Sequence, residues 1–377
     1  MANSLSQDEK SRYLRHILLG NVGEAGQLKL KNSSVLCIGA GGLGSPILLY
    51  LAAAGVGRIG IVDSDHVDQS NLQRQVLFNS NDVMQSKAEL AKKKLLQLNP
   101  YIQVDVYPEY FNAQNAEKLL GQYDAIIDGT DNFATRYLVN DVAVKLNKPN
   151  FFGCIYQFTG QLSVFGTGKG CYRCLFPSPP SAELSPDCSQ AGVLGVLPGL
   201  VGTYQALEYI KWVLGIGESL AGKLMFVDTL NNSFRTVNFS KNPECETCSK
   251  PSEIKIIDYD FTCALPSNES WEVKEISVQE LKNRMDAQDK KSFVLIDVRE
   301  KVEYEIGNIG GILIPLGELA NHLDKIPKTG DVFIHCKVGG RSAKACEKLM
   351  SLGYTNVINV SGGMVAWKQE IDSKFKI

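Results

Sequence analysis

The segment V-L-C-I-G-A-G-G-L-G, residues 35–44, constrains the fold of this chain more than any other segment. An apolar run leads directly into a cluster of glycines, and the apolar helical pattern P-I-L-L-Y-L-A-A-A follows. This order predicts a strand, a tight turn and a helix, where the backbone comes close to a ligand and the N–H groups of the first helical turn face a phosphate. The glycines of the turn are Gly39, Gly41, Gly42 and Gly44.

A carboxylate completes this predicted nucleotide site. Asp63 follows the apolar run 59–62 and stands about 20 residues beyond the glycines, where the end of a second strand accepts hydrogen bonds from both ribose hydroxyls. The pattern alone does not separate a nicotinamide or flavin cofactor from ATP, because it describes the pocket and not the chemistry.

Length and charge limit the possible functions. The 377 residues are enough for two or three domains of about 100–200 residues each. The net charge of −2 leaves no basic surplus, so we expect neither nucleic acid nor a membrane surface as a partner. With no signal-peptide pattern and no apolar run of about 18 residues, we expect a cytoplasmic protein. In a reducing compartment, its ten cysteines are expected to be metal ligands, nucleophiles or buried thiols.

Strand and helix patterns alternate from residue 35 to residue 146 and predict an α/β fold with a mainly parallel sheet covered on both faces. Ligands of such sheets bind at the carboxyl ends of the strands, so the glycine turn, Asp63 and Asp131 are expected along one edge. The predicted strands are 35–38, 58–62, 103–107 and 124–128, and the predicted helices are 43–54, 87–98, 115–120 and 133–146.

The polar segment D-S-D-H-V-D-Q-S-N-L-Q-R-Q, residues 63–75, is too long for a plain connection. Asn71 and Arg74 in it, and Lys87 beyond it, are donors suited to a triphosphate, and Asp131 is a carboxylate suited to Mg²⁺. A hydride-transfer enzyme needs only the single acidic residue, so these residues favour ATP. The alternatives are a solvent-exposed charge for Lys87 and a cap of helix 133–146 for Asp131.

Two C-x-x-C pairs predict a metal site. Four thiolates suit tetrahedral zinc with no open position, which makes the site structural, and the matched spacing argues against four unrelated thiols. The ligands are Cys171, Cys174, Cys245 and Cys248. Between the pairs, Cys188 lies in a Pro- and Ser-rich segment before a predicted helix at 193–214, and a lone thiol in such a loop is expected to be nucleophilic.

Residues 251–273 lack periodicity and predict a linker, after which the α/β alternation restarts. Cys336 ends an apolar strand just before Gly339 and Gly340, and N–H groups that converge there lower the pKa of a thiol and hold an anion. A phosphatase that uses a phosphocysteine and Arg341 is the alternative. Cys37, Cys154, Cys263 and Cys346 are interpreted as buried or incidental thiols. The predicted elements are helices 277–285, 316–322 and 341–352, and strands 293–297, 331–335 and 356–359.

Ordered motifs over residues 5–250 resemble the MoeB/ThiF family of ubiquitin-like-protein activating enzymes; they include G-A-G-G-L-G, S-N-L-Q-R-Q, D-G-T-D-N-F-x-T-R, C-Y-R-C-L-F and N-P-x-C-x-x-C. L-I-D-V-R-E, H-C-K-V-G-G-R-S and N-V-S-G-G-M-V-A-W, within 274–377, resemble the rhodanese family. The resemblance implies a Rossmann-like adenylating domain at 1–250 with a structural zinc site, a linker at 251–273 and a small α/β rhodanese domain at 274–377.

By the same resemblance, ATP and Mg²⁺ adenylate the C-terminal glycine of a small β-grasp sulfur-carrier protein that ends in Gly-Gly. Asp63 would hold the ribose, Asn71, Arg74 and Lys87 the phosphates, and Asp131 the Mg²⁺. Without the resemblance, Arg15 is interpreted as a solvent-exposed surface charge. In this family, an arginine at its place reaches the nucleotide site of a neighbouring subunit, which implies a homodimer.

The resemblance also implies sulfur transfer. Cys336 would carry a persulfide, supplied by an upstream donor such as a cysteine desulfurase, and the carrier would leave as a thiocarboxylate. Cys188 matches a cysteine that forms a thioester or acyl persulfide in some members and is dispensable in others. Asn308 departs from the histidine of the rhodanese G-H-I-x-G motif.

We expect the carrier to be the MoaD-type small subunit of molybdopterin synthase. A ThiS-type carrier for thiamine, or a carrier for tRNA thiolation or cysteine synthesis, is the alternative within the same chemistry. Two functions of other classes stay open: a nicotinamide-dependent oxidoreductase with a rhodanese tail, and a non-catalytic scaffold that binds a β-grasp protein.

Overall fold

The computed structural model describes residues 2–178, 192–259, 273–287 and 293–376. The chain divides into two compact units, Met1–Ala264 and Leu265–Ile377. In the described ranges, no helix combines the length and the apolar character needed to cross a membrane.

The first unit is built on an eight-stranded sheet. Its strands are β1 (Ser34–Ile38), β2 (Arg58–Val62), β3 (Gln103–Tyr107), β4 (Ala125–Asp128), β5 (Asn150–Tyr156), β6 (Thr159–Phe165), β7 (Lys223–Asp228) and β8 (Ser233–Asn238). Its helices are α1 (Gln7–Arg12), α2 (Leu14–Ile17), α3 (Gly23–Lys31), α4 (Gly44–Ala54), α5 (Lys87–Leu98), α6 (Ala116–Gly121), α7 (Phe133–Lys145), α8 (Tyr172–Leu175) and α9 (Val196–Leu214).

The strand order is β3-β2-β1-β4-β5-β6-β7-β8. β1 to β4 are the four predicted strands, and they form a parallel sheet with β5, while β5 to β8 pair antiparallel. The sequence pattern does not predict this antiparallel extension. The direction in which the sheet grows reverses between β1 and β4, and such a reversal opens a crevice at the carboxyl ends of the two strands.

The apolar residues of β1 explain why the sheet is covered on both faces. Val35 and Cys37 pack in one buried cluster with residues of α4, whereas Leu36 and Ile38 pack in another with residues of α7. A strand that is apolar at every position therefore lies between two helical layers, as expected for a central parallel strand.

The turn after β1 depends on the absence of side chains. Gly39 has a φ of +90°, and a Cβ on Gly44 would lie 2.1 Å from the Gly39 carbonyl oxygen. A Cβ on Gly39 would lie 2.9 Å from the carbonyl oxygen of Gly129, which follows β4. At Gly41, by contrast, a Cβ would meet only the Gln75 side chain, at 3.5 Å, so the backbone is accessible there. The turns after β1 and β4 thus touch at the crevice.

The elements of the second unit are β9 (Lys274–Ile276), α10 (Val278–Asp286), β10 (Phe293–Asp297), α11 (Lys301–Ile306), β11 (Ile312–Leu313), a 3₁₀ segment (Leu316–Lys325), β12 (Asp331–His335), α12 (Gly340–Ser351), β13 (Val357–Val360) and α13 (Gly363–Glu370). They contain a five-stranded parallel sheet of order β11-β10-β12-β13-β9, with β12, which leads to Cys336, at its centre. The sequence predicts α10, β10, β12, α12 and β13 but not β9, β11, α11 or α13. The helix predicted at 316–322 is part of the 3₁₀ segment.

The glycine turn yields a stability prediction. Gly44→Ala should lower the free energy of unfolding by about 1–3 kcal/mol or more, because the new Cβ collides with backbone that cannot move away. Gly199→Ala is the matched control, since Gly199 is also helical and has open space at its Cβ position. It should raise stability by about 0.5–1 kcal/mol. Urea unfolding measures both, and wild-type stability of Gly44→Ala would contradict the predicted collision.

Candidate functional site

Three strand ends meet at the crevice. Ile38 of β1 pairs with Val62 of β2 and with Asp128 of β4, so the residues that follow these strands lie along one edge of the sheet. The glycine turn, Asp63 and the turn that contains Asp131 are therefore neighbours, as the sequence predicts.

Asp63 fastens the glycine turn. One carboxylate oxygen accepts a hydrogen bond from the Ala40 N–H at 2.7 Å, and the other accepts one from the Asp65 N–H at 2.8 Å. Burial raises the pKa of the Asp63 carboxyl, against the Ala40 hydrogen bond and the positive charge of Lys87. Each oxygen of a carboxylate can accept a further bond, which leaves capacity for ribose hydroxyls.

Lys87 is buried at this edge. It begins α5 with 6% of its side chain exposed, and its Nζ donates to Asp65 Oδ2 at 2.9 Å. The alternative interpretation of Lys87 as a solvent-exposed charge is therefore wrong.

Arg74 and Asn71 lie on the segment between β2 and α5. Arg74 donates to the Ser70 carbonyl at 3.0 Å, and its Cγ lies 3.6 Å from the position that a Cβ on Gly42 would occupy. Asn71 accepts a hydrogen bond from the Asp68 N–H at 3.1 Å. Arg74 is thus held beside the glycine turn, where a phosphate would bind.

Asp131 is exposed at the edge and does not cap a helix. Asn132 caps α7 instead, since its side chain accepts a hydrogen bond from the Thr135 N–H at 2.8 Å. The capping alternative for Asp131 is wrong. Mg²⁺ takes one or two carboxylates together with phosphate oxygens, so an exposed carboxylate beside the glycine turn fits this ion.

Asp128 and Arg136 are buried polar residues beside this carboxylate that sequence reasoning missed. Asp128 is fully buried at the end of β4, and Oδ1 accepts hydrogen bonds from the Thr130 N–H at 3.0 Å and the Thr130 hydroxyl at 2.6 Å. Arg136 on α7 lies with its Nε 3.9 Å from Asp128 Oδ2. The signal was present in D-G-T-D-N-F-x-T-R, where a carboxylate ends an apolar strand and an arginine follows within the next helix.

Two further residues of the predicted site are Arg15 and Cys188. Arg15 is exposed on α2, between the exposed side chains of Leu14 and Leu18. Its role in a neighbouring subunit stays a prediction. Cys188 and Cys263 lie outside the described residues.

The four predicted metal ligands come together. Their Sγ atoms all lie within 4.8 Å of one another. The distance is 3.9 Å between Cys171 and Cys174, 3.6 Å between Cys171 and Cys245, and 3.4 Å between Cys174 and Cys248. Zinc–sulfur bonds of about 2.3 Å in a tetrahedron place sulfur atoms about 3.8 Å apart, so the cluster fits zinc.

The backbone supports a thiolate in this cluster. Cys174 Sγ accepts hydrogen bonds from the N–H groups of Cys171 and Asn242, both at 3.4 Å. Burial acts to raise the pKa of Cys174, but these hydrogen bonds lower it below its usual value. A metal bound by all four thiolates would have no open position, as in a structural site and not a catalytic one.

The cysteine cluster is fastened to α7. The Tyr172 N–H donates to Asn140 at 2.8 Å, and Arg173 forms two hydrogen bonds of 2.8 Å with Asp141. The Tyr259 hydroxyl donates to the same Asp141 carboxylate. Since α7 begins just after Asp131, the cluster supports the helix that borders the crevice.

The second unit contains the predicted thiol cradle. Cys336 is fully buried, and its Sγ accepts hydrogen bonds from the Gly339 N–H at 3.2 Å and the Ser342 hydroxyl at 3.5 Å. Gly339 has a φ of +97°, which lets the loop curl around the sulfur before α12 begins. The Met364 N–H, at the start of α13, donates to the Cys336 carbonyl at 2.9 Å and so fixes the loop from the other side.

Arg341 is paired with Glu303. The two guanidinium nitrogens lie 2.7 and 2.6 Å from the two carboxylate oxygens of Glu303. This pairing raises the pKa of Arg341. In the phosphatase alternative, Arg341 would have to leave this ion pair to bind a phosphate. Asn308 closes its own loop, since it donates to the Tyr304 carbonyl at 3.1 Å and accepts from the Gly310 N–H at 3.2 Å.

The remaining cysteines among the described residues differ in how deeply they are buried. Cys37 and Cys346 are buried, and burial raises the pKa of Cys346 to about 12. Both thiols are therefore protonated at neutral pH, in agreement with the interpretation as buried thiols. Cys154 is only half-buried.

Comparison with protein families matches both units. The model of the ThiF family matches residues 13–247, and the model of the rhodanese-like domain matches residues 277–370.

Curated relatives cover nearly the whole chain. The probable adenylyltransferase/sulfurtransferase MoeZ of Mycobacterium tuberculosis is 43% identical over 98% of this chain and 95% of its own length. The adenylyltransferase and sulfurtransferase MOCS3 of Drosophila virilis is 38% identical over 99% of this chain and 86% of its own. The sulfur carrier protein adenylyltransferase of Thermus thermophilus is 49% identical over 69% of this chain and 98% of its own.

Solved structures support the fold. The crystal structure of Escherichia coli MccB with ATP has a TM-score of 0.54 and 24% identity, and the match covers 65% of this chain and 75% of that chain.

The cysteine cluster gives a prediction on metal content. Cys245→Ser should lose the metal and lower the melting temperature, because a three-thiolate site binds zinc more weakly and the ion ties residues 171–174 to residues 245–248. Cys37→Ser is the matched control, since it replaces a buried thiol outside the cluster. Elemental analysis and thermal unfolding give the result. A metal-free wild-type protein of full stability would end the zinc assignment.

Proposed function

The chain belongs to the ThiF family, and on that premise we propose that it adenylates a sulfur-carrier protein with ATP and then transfers sulfur to it. The observation that supports this function best is the occurrence of two separate cradles in one chain, a glycine turn beside Asp63 and Asp131 and a thiol loop around Cys336. Two of the relatives named above, MoeZ and MOCS3, are named for both activities and match nearly the whole of this chain.

In the first reaction, the carrier's C-terminal carboxylate attacks the α-phosphate of ATP and pyrophosphate leaves. Asp63 binds the ribose, while Asn71, Arg74 and Lys87 bind the phosphates and offset the charge that builds up during attack. We propose that the protein is a homodimer and that Arg15 of the second subunit supplies a further positive charge to the phosphates. Mg²⁺ held at Asp131 would supply further charge neutralisation on the triphosphate. No covalent enzyme intermediate is needed.

In the second reaction, the terminal sulfur of a Cys336 persulfide attacks the acyl adenylate and AMP leaves, which gives an acyl disulfide between carrier and enzyme. A second thiol then attacks the Cys336 sulfur, so the carrier departs as a thiocarboxylate and the two enzyme thiols form a disulfide. We propose Cys188 as this second thiol. A dithiol reductant of the cell then reduces this disulfide by thiol–disulfide exchange, and a persulfide donor protein such as a cysteine desulfurase reloads the free Cys336. Gly339 and Ser342 stabilise the sulfur anion in both steps.

The carrier we propose is the MoaD-type small subunit of molybdopterin synthase, and the enzyme acts in the cytoplasm, where reducing conditions keep its thiols free. Support comes from relatives in which both activities are combined in one chain of similar length. A ThiS-type carrier or a tRNA-thiolation carrier requires the same chemistry. Separate incubation with each carrier, ATP and a persulfide donor, followed by mass spectrometry of the carrier, identifies the true substrate by the replacement of one oxygen by sulfur.

Asp131→Ala should lower carrier-dependent ATP–pyrophosphate exchange by about 100-fold or more, since loss of one preorganised charge at the reacting phosphates has effects of this size. The same variant should still take sulfur onto Cys336 from thiosulfate, because the second unit has its own cradle. Exchange at the wild-type rate would show that another carboxylate holds the metal. A wild-type protein that exchanges no pyrophosphate with any carrier would favour an oxidoreductase or a scaffold.

Cys336→Ala should keep pyrophosphate exchange, since adenylation uses neither thiol, and should lose thiocarboxylate formation when a persulfide donor is the only sulfur source. Cys346→Ala is the matched control, because Cys346 is a fully buried thiol of the same unit with a raised pKa. It should retain both reactions. Normal thiocarboxylate yield from Cys336→Ala would contradict the serial mechanism.

A further inference from the structure

The ion pair of Asp128 and Arg136 lacks the short hydrogen-bonded contact of a strong buried ion pair. Asp128 is fully buried and Arg136 is 6% exposed. Buried charges normally require close, hydrogen-bonded partners. Here the Arg136 Nε lies 3.9 Å from Asp128 Oδ2, beyond hydrogen-bonding distance, and neither atom has another hydrogen-bond partner among the described residues. Burial raises the pKa of Asp128 accordingly, against the charge of Arg136. Without a hydrogen bond between the two charges, their attraction offsets less of the cost of burying both.

Both residues instead hold Thr130, the residue before Asp131. Asp128 Oδ1 accepts hydrogen bonds from the Thr130 N–H and hydroxyl, at 3.0 and 2.6 Å. Arg136 Nη2 lies 3.5 Å from the Thr130 carbonyl oxygen, which belongs to the peptide bond with Asp131. Thr130 is therefore held at both of its peptide bonds.

The same turn has a fixed position relative to the glycine turn. A Cβ on Gly129 would lie 2.8 Å from the Ile38 carbonyl oxygen and 3.4 Å from that of Gly39. Gln205 of α9 donates to the Asp128 carbonyl at 2.7 Å. The position of the Asp131 backbone beside the phosphate turn is thus defined by contacts on several sides.

We propose that Asp128 and Arg136 form one positioning unit that holds the Asp131 carboxylate in place for the divalent cation of the nucleotide. The assignment of the cation to Asp131 rests on the function proposed above. Residues that orient a metal-binding carboxylate typically contribute about 10- to 100-fold to metal affinity. A buried pair with a purely structural role would affect stability and leave the cation affinity of the folded protein unchanged.

The opposite end of β4 offers a matched control. Asp124 accepts hydrogen bonds from the Ser34 N–H and hydroxyl, at 2.8 and 2.7 Å. Asp128 likewise accepts hydrogen bonds from one backbone N–H and one hydroxyl, those of Thr130. The bonds of Asp124, however, lie at the amino end of the strand, away from the crevice. Asp124→Ala therefore removes equivalent bonds without touching the turn.

The test is Mn²⁺ binding in the presence of a non-hydrolysable ATP analogue, measured by the electron paramagnetic resonance signal of free Mn²⁺. Asp128→Ala should bind Mn²⁺ about tenfold or more weakly than wild type. Asp128→Asn keeps an acceptor oxygen for Thr130 and should bind within a few-fold of wild type, although its melting temperature falls because Arg136 loses its counter-charge. Asp124→Ala should lose thermal stability and retain wild-type affinity.

Thr130→Val tests the proposal if Asp128→Ala does not fold, since valine has nearly the same shape and removes only the hydroxyl hydrogen bond. It should weaken Mn²⁺ binding by a smaller factor. Zinc content and melting temperature report folding for every variant.

Wild-type Mn²⁺ affinity in both Asp128→Ala and Thr130→Val would overturn the proposal, as would an equal loss in Asp124→Ala. Unchanged binding in Asp131→Ala would overturn it too, together with the assignment of the cation. The proposed function fails on a different measurement, the absence of carrier-dependent pyrophosphate exchange in the wild type.

Discussion

The close contact of two backbone turns, one after β1 and one after β4, is the constraint on which the nucleotide site depends. Gly39, Gly44 and Gly129 leave no room for a Cβ, so the turns meet through their main chains. This contact lies where the order of the parallel strands reverses. Segments far apart in sequence are thereby collected at one edge, and the residues proposed to bind the triphosphate become neighbours of the carboxylate proposed for a cation.

Local sequence patterns predicted the parts of the fold that depend on local interactions. The apolar runs of β1, β2 and β12, the glycine turn, Asp63 and the Cys336 loop could all be predicted, because strand period, turn chemistry and helix starts are determined by adjacent residues. The antiparallel strands β5 to β8 could not. β8 is exposed along its whole length and shows no buried alternation, so its pairing follows from β7 and not from its own residues.

Burial and hydrogen bonding decide the two questions that the sequence leaves open. Lys87 could also be interpreted as a surface charge, and Asp131 as a helix cap. The sequence does not distinguish these alternatives from the binding roles, because both residues lie among polar residues. In the structure Lys87 is buried against Asp65 while Asn132 takes the capping role. Asp128 and Arg136 escaped prediction for the opposite reason. A carboxylate at the end of an apolar strand is read as the start of a loop, and only the packing of α7 shows that it is buried.

The same physical device appears in both units and serves different chemistry. Gly39 and Gly339 each have a positive φ in a turn between a strand and a helix. The Gly339 N–H donates to the Cys336 sulfur, and the N–H groups of the first turn are proposed to face a phosphate. The proposed function explains why one chain combines them. An acyl adenylate is readily hydrolysed, so sulfur transfer must be faster than its reaction with water. A covalent connection between two reacting groups raises their effective concentration, which favours transfer from Cys336 over hydrolysis without any new contact.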